Sequence, residues 1–287
     1  MVYAGVELGG TKCVAILASS PGDILAREIV PTTSPDETLG AIERILSGWK
    51  FDALGIASFG PIDVDRGSAT YGQMLATPKP GWARVDVAGR LGKAAAVGTA
   101  FDTDVNAAAL AEMRWGTGSG FDDFAYVTVG TGVGVGLIVN GKPTRGLGHC
   151  ELGHIRPARL PGDDWPGSCP FHGDCVEGIA SGSALKARYG DALARLAPDH
   201  PAWEVAAWTL AQLCQAIVCA AAPRRIAMGG GVVDEQPHLL SKIQKKLVES
   251  LNGYIRLSDD GDYVCAPALG QNAGPLGAIA LAMTATP

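Results

Sequence analysis

The residue types best suited to chemistry in this chain are His154, Cys169, His172 and Cys175, the last three forming Cys-x2-His-x2-Cys within a loop-rich stretch. Thiolate and imidazole together select zinc, because soft sulfur and borderline nitrogen donors suit that ion better than magnesium or calcium. This spacing is met by chance far less readily than a lone histidine. Four protein ligands would close a tetrahedral shell with no position left for water, so the predicted metal is structural rather than hydrolytic. Two acids flank the set, Glu151 before it and Glu177 two residues after Cys175. A metal clip would fix both where they could accept hydrogen bonds from ligand hydroxyls; the plain alternative is a solvated loop charge. His149 and Cys150, beside Glu151, receive no role.

A second group of residues is suited to phosphate. The turns Gly9-Gly10-Thr11-Lys12 and Gly130-Thr131-Gly132 offer backbone N–H groups free of side chains and a threonine hydroxyl, which oligophosphate oxygens need for close approach. Neither is a Walker loop. One glycine turn between strands is usually only a hairpin. Two at matching places, with a third run Gly229-Gly230-Gly231 between a strand and a helix, favour nucleotide binding, with Gly230 and Gly231 as its members. Glu7, beside the first turn, could hold Mg²⁺ through water, since magnesium keeps most of its hydration; the alternative is a buried or turn-capping acid. Asp102-Thr103-Asp104-Val105-Asn106 falls where a strand ends and a helix starts, the place where open α/β sheets bind ligands. An acid there can take a hydroxyl proton, and phosphoryl transfer asks for little more than such a carboxylate, positioning and charge neutralisation. Asp104 is the candidate, against the equal alternative of an ordinary helix N-cap.

The elements that must hold these residues are legible in outline. Runs 3–8, 13–17 and 24–31 are β-rich and separated by glycine turns, and Ser34, Pro35 and Glu37 signal a helix start by N-cap, first-turn proline and capping-box acid. Strands at 53–58 and 97–102 and a helix at 106–115 complete a β-β-β-α-β-β-α order, an α/β domain with a mixed sheet. The order then restarts with strands 126–129 and 133–139 around the second glycine turn, so the chain reads as a duplicated fold facing a cleft. The stretch 156–178 is too rich in Pro, Gly, Asp and Cys for a regular element. Helices at 203–222, 235–250 and from 274 to 285–287, with strands at 225–228 and 263–267, close the second half. The expected domains are 1–115 and 116–273, with the zinc loop at 154–178 and the last helix packing back on the first domain.

Composition narrows the partners. With 287 residues and 47% hydrophobic content the chain can bury two cores. A net charge of −6 with 23 Lys plus Arg excludes the basic footprint that nucleic acid or an anionic membrane requires. The start lacks the pattern of a secretory signal, which makes the cytoplasm the expectation. An odd seven cysteines speaks against a disulfide framework; Cys13, Cys214, Cys219 and Cys265 lie in apolar segments and are expected in the core. The apolar run 203–222 is interrupted by Glu204, Gln212 and Gln215 without basic flanks and is read as a buried helix rather than a membrane span.

With these residues in view, the chain resembles the ROK family of sugar kinases and repressors over essentially its full length, and most of all its bacterial fructokinase branch. The resemblance rests on Glu7-Leu8-Gly9-Gly10-Thr11-Lys12, Asp102 to Asn106, Gly130-Thr131-Gly132-Val133-Gly134, Glu151-Leu152-Gly153-His154, Cys169 to Gly178 and Gly229-Gly230-Gly231-Val232, whose order and spacing together are specific. It implies the α/β actin-like ATPase (ribonuclease H-like) fold, two domains around a cleft with a zinc-binding loop. It further implies Asp104 as the base, Glu151, His154 and Glu177 around a sugar, the glycine turns around ATP, Mg²⁺, and a homodimer. His154 would serve both zinc and sugar. Glu7 in place of an aspartate, Thr103 in place of an asparagine that glucokinases use near the sugar, and Cys-x2-His in place of Cys-x-Cys are similar to the fructokinase branch. The activity so implied is ATP-dependent phosphorylation of a hexose, fructose to fructose 6-phosphate, with glucose, mannose or an N-acetylated hexosamine as alternative acceptors. The family's sugar-sensing repressors carry a DNA-binding module ahead of the first strand, and a strand starting at residue 2 or 3 is expected to leave no room for one. A zinc hydrolase is disfavoured by the closed ligand set.

Overall fold

The computed structural model describes residues 1–190, 193–257 and 262–285, and the chain divides into two compact units. The first comprises Met1–Gly120, Pro143–His149 and Gln271–Pro287. Its sheet contains β1 (Tyr3–Leu8), β2 (Lys12–Ser20), β3 (Asp23–Pro31), β4 (Ala53–Ser58) and β5 (Gly98–Thr103) in the order β3-β2-β1-β4-β5. β1 pairs antiparallel with β2 and parallel with β4, and β4 parallel with β5. Val6, Leu8, Leu54 and Ile56 are buried, as expected for central parallel strands covered on both faces.

Three helices follow these strands: α1 (Pro35–Ser47), α2 (Val87–Ala95) and α3 (Asp104–Trp115). α1 starts as the sequence signals it, with Ser34 Oγ accepting from the Glu37 amide at 3.4 Å and donating to its carboxylate at 2.9 Å. The sequence pattern missed α2, a short helix with two glycines, which starts where Asp86 accepts the Gly89 amide at 2.9 Å. The last helix of the chain, Ala273–Ala282, packs on α3, β1 and β4. It approaches so closely that a Cβ on Gly55 would collide with the carbonyl of Ala278, and one on Gly277 with the backbone of Ala107. Small residues on both surfaces therefore allow the contact. Residues 286 and 287 of the expected helix lie outside the described residues.

The second unit comprises Phe121–Lys142 and Cys150–Gly270. Its strands are β6 (Phe124–Val129), β7 (Val133–Val139), β8 (Lys142–Pro143), β9 (Ile226–Gly229) and β10 (Val264–Cys265). Their order, β10-β9-β6-β7-β8, repeats that of the first sheet strand for strand when β6 is counted as β1. The restart read from the sequence is thus a repeat of topology, including the antiparallel β6/β7 hairpin and the parallel β6/β9 pair. The helices are α4 (Val176–Ala180), α5 (Gly182–Tyr189), α6 (Pro201–Ala221), α7 (Gly231–Glu235) and α8 (His238–Leu251), after which the terminal helix described above is α9.

The long apolar helix α6 is the core of this unit: Trp203, Leu210, Leu213, Cys214 and Ile217 are buried, and it packs on α4 and α8. Burial pushes the Cys214 thiol up to about 12, so it stays protonated. Cys219 departs from expectation: it lies at the emerging end of α6 and is exposed, and Cys265 is only half-buried. The helix expected at 235–250 begins later, after Pro237, because a separate turn of helix, α7, precedes it. The Pro/Gly-rich stretch is irregular up to Cys175, where α4 begins.

Candidate functional site

In the second unit the predicted metal ligands converge. The donor atoms of His154, Cys169, His172 and Cys175 all lie within 4.8 Å of one another. Cys169 Sγ is 3.8 Å from His154 Nδ1 and 3.7 Å from His172 Nδ1, and Cys175 Sγ is 3.6 Å from His154 Nδ1. Tetrahedral zinc, with bonds of about 2.3 Å to sulfur and about 2.0 Å to nitrogen, places such atoms about 3.6 Å apart, so the set fits that ion. The local backbone explains the convergence. Cys169 and Gly173 exchange both backbone hydrogen bonds (3.1 and 2.9 Å), which folds the loop into a knuckle, and Cys175 caps α4, its sulfur accepting from the Gly178 amide at 3.4 Å. Burial, with neighbouring Cys169 adding to it, pushes the Cys175 thiol up to about 11, so a thiolate there calls for a cation.

His154 turns its two ring nitrogens to different tasks. Nδ1 faces the sulfurs, while Nε2 lies 4.0 Å from both Glu151 Oε2 and Glu177 Oε1. Both carboxylates thus face the ring nitrogen that the sulfurs leave free, at a distance beyond a direct hydrogen bond. Glu177, at the start of α4, also accepts the Val133 amide at 3.1 Å, immediately after the Gly130-Thr131-Gly132 turn. Gly132 must be glycine for this contact, since a Cβ would stand 2.5 Å from the Glu177 carboxylate. The Cys/His cluster, the acids and the glycine turn form one connected construction.

Beside it is a cavity of about 580 Å³ whose wall includes Gly130, Thr131 and Gly231, and also Ser183, Lys186 and Trp203. The first three are sequence candidates; the others were not. Ser183 and Lys186 belong to α5, whose first amide, Gly182, donates to Gly130 O at 2.7 Å. The buried indole N–H of Trp203 has no partner among the described residues. No pattern in the sequence marks these positions, because a helix within the second half becomes a pocket wall only through packing. Gly230, with φ of 95°, starts α7 in a conformation that side chains disfavour.

The remaining candidates lie in the first unit. Thr103 caps α3, its hydroxyl accepting the Asn106 amide at 3.1 Å, so Asp104 is the first helical residue rather than the cap. Its carboxylate accepts the Val105 amide at 2.9 Å and is only half-buried. Asp102 is the buried acid of the motif: it bonds Asn106 Nδ2 at 2.9 Å and pairs with Arg145. Together with the Ile62 amide, which donates to His149 Nε2 at 3.1 Å, this pair counts residues 143–149 with the first unit, although the sequence places them in the second half. Arg145 was invisible beforehand because its partner is 43 residues away. At the first glycine turn, Gly9 N–H bonds Lys12 O at 3.1 Å and Lys79 Nζ donates to Gly10 O at 2.6 Å. Burial raises the Glu7 carboxyl above its ordinary range, with Lys12 and Arg27 opposing the rise.

Known proteins resemble this chain in sequence and fold. Residues 3–285 match the ROK family. The fructokinase of Zymomonas mobilis subsp. mobilis is 42% identical over 293 residues, covering 99% of this chain and 97% of that protein. The fructokinase of Pediococcus pentosaceus is 38% identical over 285 residues, covering 99% of each. The crystal structure of a ROK family glucokinase from Streptomyces griseus, in complex with glucose and AMPPNP, is 26% identical with a TM-score of 0.79, covering 99% of this chain and 100% of that one.

Proposed function

The chain belongs to the ROK family and has the actin-like ATPase fold of its sugar kinases, and from that premise we propose that it transfers the γ-phosphoryl group of ATP to O6 of fructose. The observation that carries this reading is the junction in the second unit. There one carboxylate, Glu177, accepts the amide after the glycine turn and lies 4.0 Å from the His154 imidazole, so a phosphate-suited turn and a hydroxyl-suited acid are neighbours.

The residues divide the work. Glu151, Glu177, His154 and Thr103 make hydrogen bonds with sugar hydroxyls. Asp104 accepts the hydroxyl proton as the sugar oxygen bonds to the γ-phosphorus and the bond to the bridging oxygen of ADP breaks. Amides of the Gly9–Lys12 and Gly130–Gly132 turns, with Gly230 and Gly231, stabilise the charge that spreads over the phosphates. The cavity beside Gly130 takes the remainder of the nucleotide. Glu7 would hold Mg²⁺ through water, which fits a carboxylate whose burial a cation offsets; when bound, the ion neutralises phosphate charge. His154, Cys169, His172 and Cys175 would hold zinc in a structural role, keeping the acids in place. The setting is the cytoplasm, and a homodimer is the expected assembly, which sedimentation of the same preparation would read.

A coupled assay of ADP release with Mg-ATP and fructose, glucose, mannose or N-acetylglucosamine tests the reading. Fructose is expected to give the highest kcat/KM. Preference for another hexose removes the fructose assignment, and no stimulation by any sugar removes the kinase. Metal analysis should find close to one zinc per chain; a metal-free active protein would remove the clip.

A further inference from the structure

The loop that carries the metal ligands holds a second charged cluster with no part in the mechanism above. Asp163 is nearly sealed from solvent, its side chain 4% exposed, and is gripped from two sides: Arg159 Nη2 lies 3.0 Å from Oδ2 and Arg188 Nη2 2.8 Å from Oδ1. The Trp165 amide adds a bond to Oδ1 at 3.3 Å. Arg159 continues the chain of charges, its Nη1 3.2 Å from Asp174 Oδ2, and Asp174 stands between the metal ligands His172 and Cys175. Arg156 holds the other Asp174 oxygen at 3.4 Å. At the far end, Arg188 is in the last turn of α5, its guanidinium stacked over Trp165 and Tyr189.

The same helix walls the nucleotide cavity through Ser183 and Lys186. The α4–α5 segment is therefore pinned at three points: Cys175 at its start, the Gly182 amide on Gly130 O in the middle, and Arg188 on Asp163 at its end. Two of the three lead back to the metal loop. A charge as buried as Asp163 cannot part from its arginines without a large desolvation cost, so helix and loop must move together.

We infer that Asp163 and Arg188 are a positioning pair that ties the metal loop to the nucleotide-facing helix, so that loss of the metal weakens nucleotide binding. This rests on the nucleotide reading of the cavity given above. The metal cluster thus serves the phosphate donor as well as the acceptor side, and Asp174–Arg159–Asp163–Arg188 is the physical link.

The test is calorimetric binding of ADP to the full chain with its metal and after chelation. The unmodified protein should lose about tenfold in ADP affinity on metal removal, within the usual range of coupling between sites. Arg188→Met, which keeps an apolar stem and removes the charge, should bind ADP about tenfold more weakly with the metal present, then lose less than about twofold on chelation. Arg188→Lys should recover part of the affinity. In turnover, Arg188→Met should raise KM for ATP while KM for fructose and kcat stay within about twofold, a split that general loosening of the fold would not give. Equal ADP affinity with and without metal, or parallel losses in the variant and the unmodified protein, would overturn the inference. If Arg188→Met fails to fold by circular dichroism, Asp174→Asn, at the more exposed end of the link, carries the same expectations. Failure of the unmodified protein to bind ADP at all would instead remove the nucleotide reading.

Discussion

The turn between β1 and β2 and the turn between β6 and β7 occupy the same place in the same sheet order, yet they are finished differently. The first is exposed at Gly10, Thr11 and Lys12 and is surrounded by charge: Lys12 itself, Lys79 on the Gly10 carbonyl, and Glu7 on the strand before it. The second is fastened by backbone and shape. Its Gly130 carbonyl accepts the first amide of α5, and the amide after it, Val133, is held by Glu177 at the start of α4. The two hairpins are equivalent in topology, and they differ in what packs behind them. The turn of the first unit is set among charges, whereas that of the second is part of a built surface in which the Cys/His loop, the acids and the helices are bonded to one another. Charge substitutions in the first unit should therefore act on turnover, and shape substitutions in the second on binding.

The largest expected effect comes from the first unit. Asp104→Asn keeps the size of the side chain and removes its basicity, so kcat should fall by at least about a hundredfold while fructose affinity, measured by titration, changes little. Near-normal turnover would take the base away from this unit and dissolve the division of labour. In the second unit, Gly132→Ala places a methyl group 2.5 Å from the Glu177 carboxylate and must displace it from the Val133 amide. Losing one hydrogen bond to a charged group predicts a rise of about tenfold in KM for fructose with a much smaller change in kcat. A variant that lost kcat and kept KM would mean that the second turn, too, works through the transition state.

The parts legible in the sequence are those carried by local chemistry. The strand-turn-strand units, the Ser34 cap and the metal ligands rest on residue types at short spacing, and in the structure the four ligands do meet. What stayed hidden depends on long-range packing. Arg145 gives no sign in sequence that it will meet Asp102, nor Arg188 that it will meet Asp163. The α2 and α4–α5 helices are hidden because they are short and their glycines mimic loops, and caps from Asp86, Cys175 and Ser181 start them. Cys219 was misplaced by reading a whole apolar helix as core when its last turn emerges into solvent.

The smallest effect tests the charge assigned to the first turn. Burial holds the Glu7 carboxyl above its ordinary value of 4.5, so without a bound cation the folded chain takes up this proton more readily than the unfolded chain does. The stability linked to Glu7 is therefore fully present below pH 4.5 and is lost as pH rises through the raised folded value. Glu7→Gln has no proton to lose. Its Tm should match that of the unmodified protein at low pH and exceed it near pH 7, by at most about 3 °C in a chain of this size. Adding Mg²⁺ with nucleotide should narrow that gap by stabilising the protein that keeps the carboxylate more than the variant, which should need more Mg²⁺ for half-maximal turnover. Two melting curves that run parallel from pH 4 to 7 would mean that burial does not perturb Glu7 and that its carboxylate needs no cation to offset it.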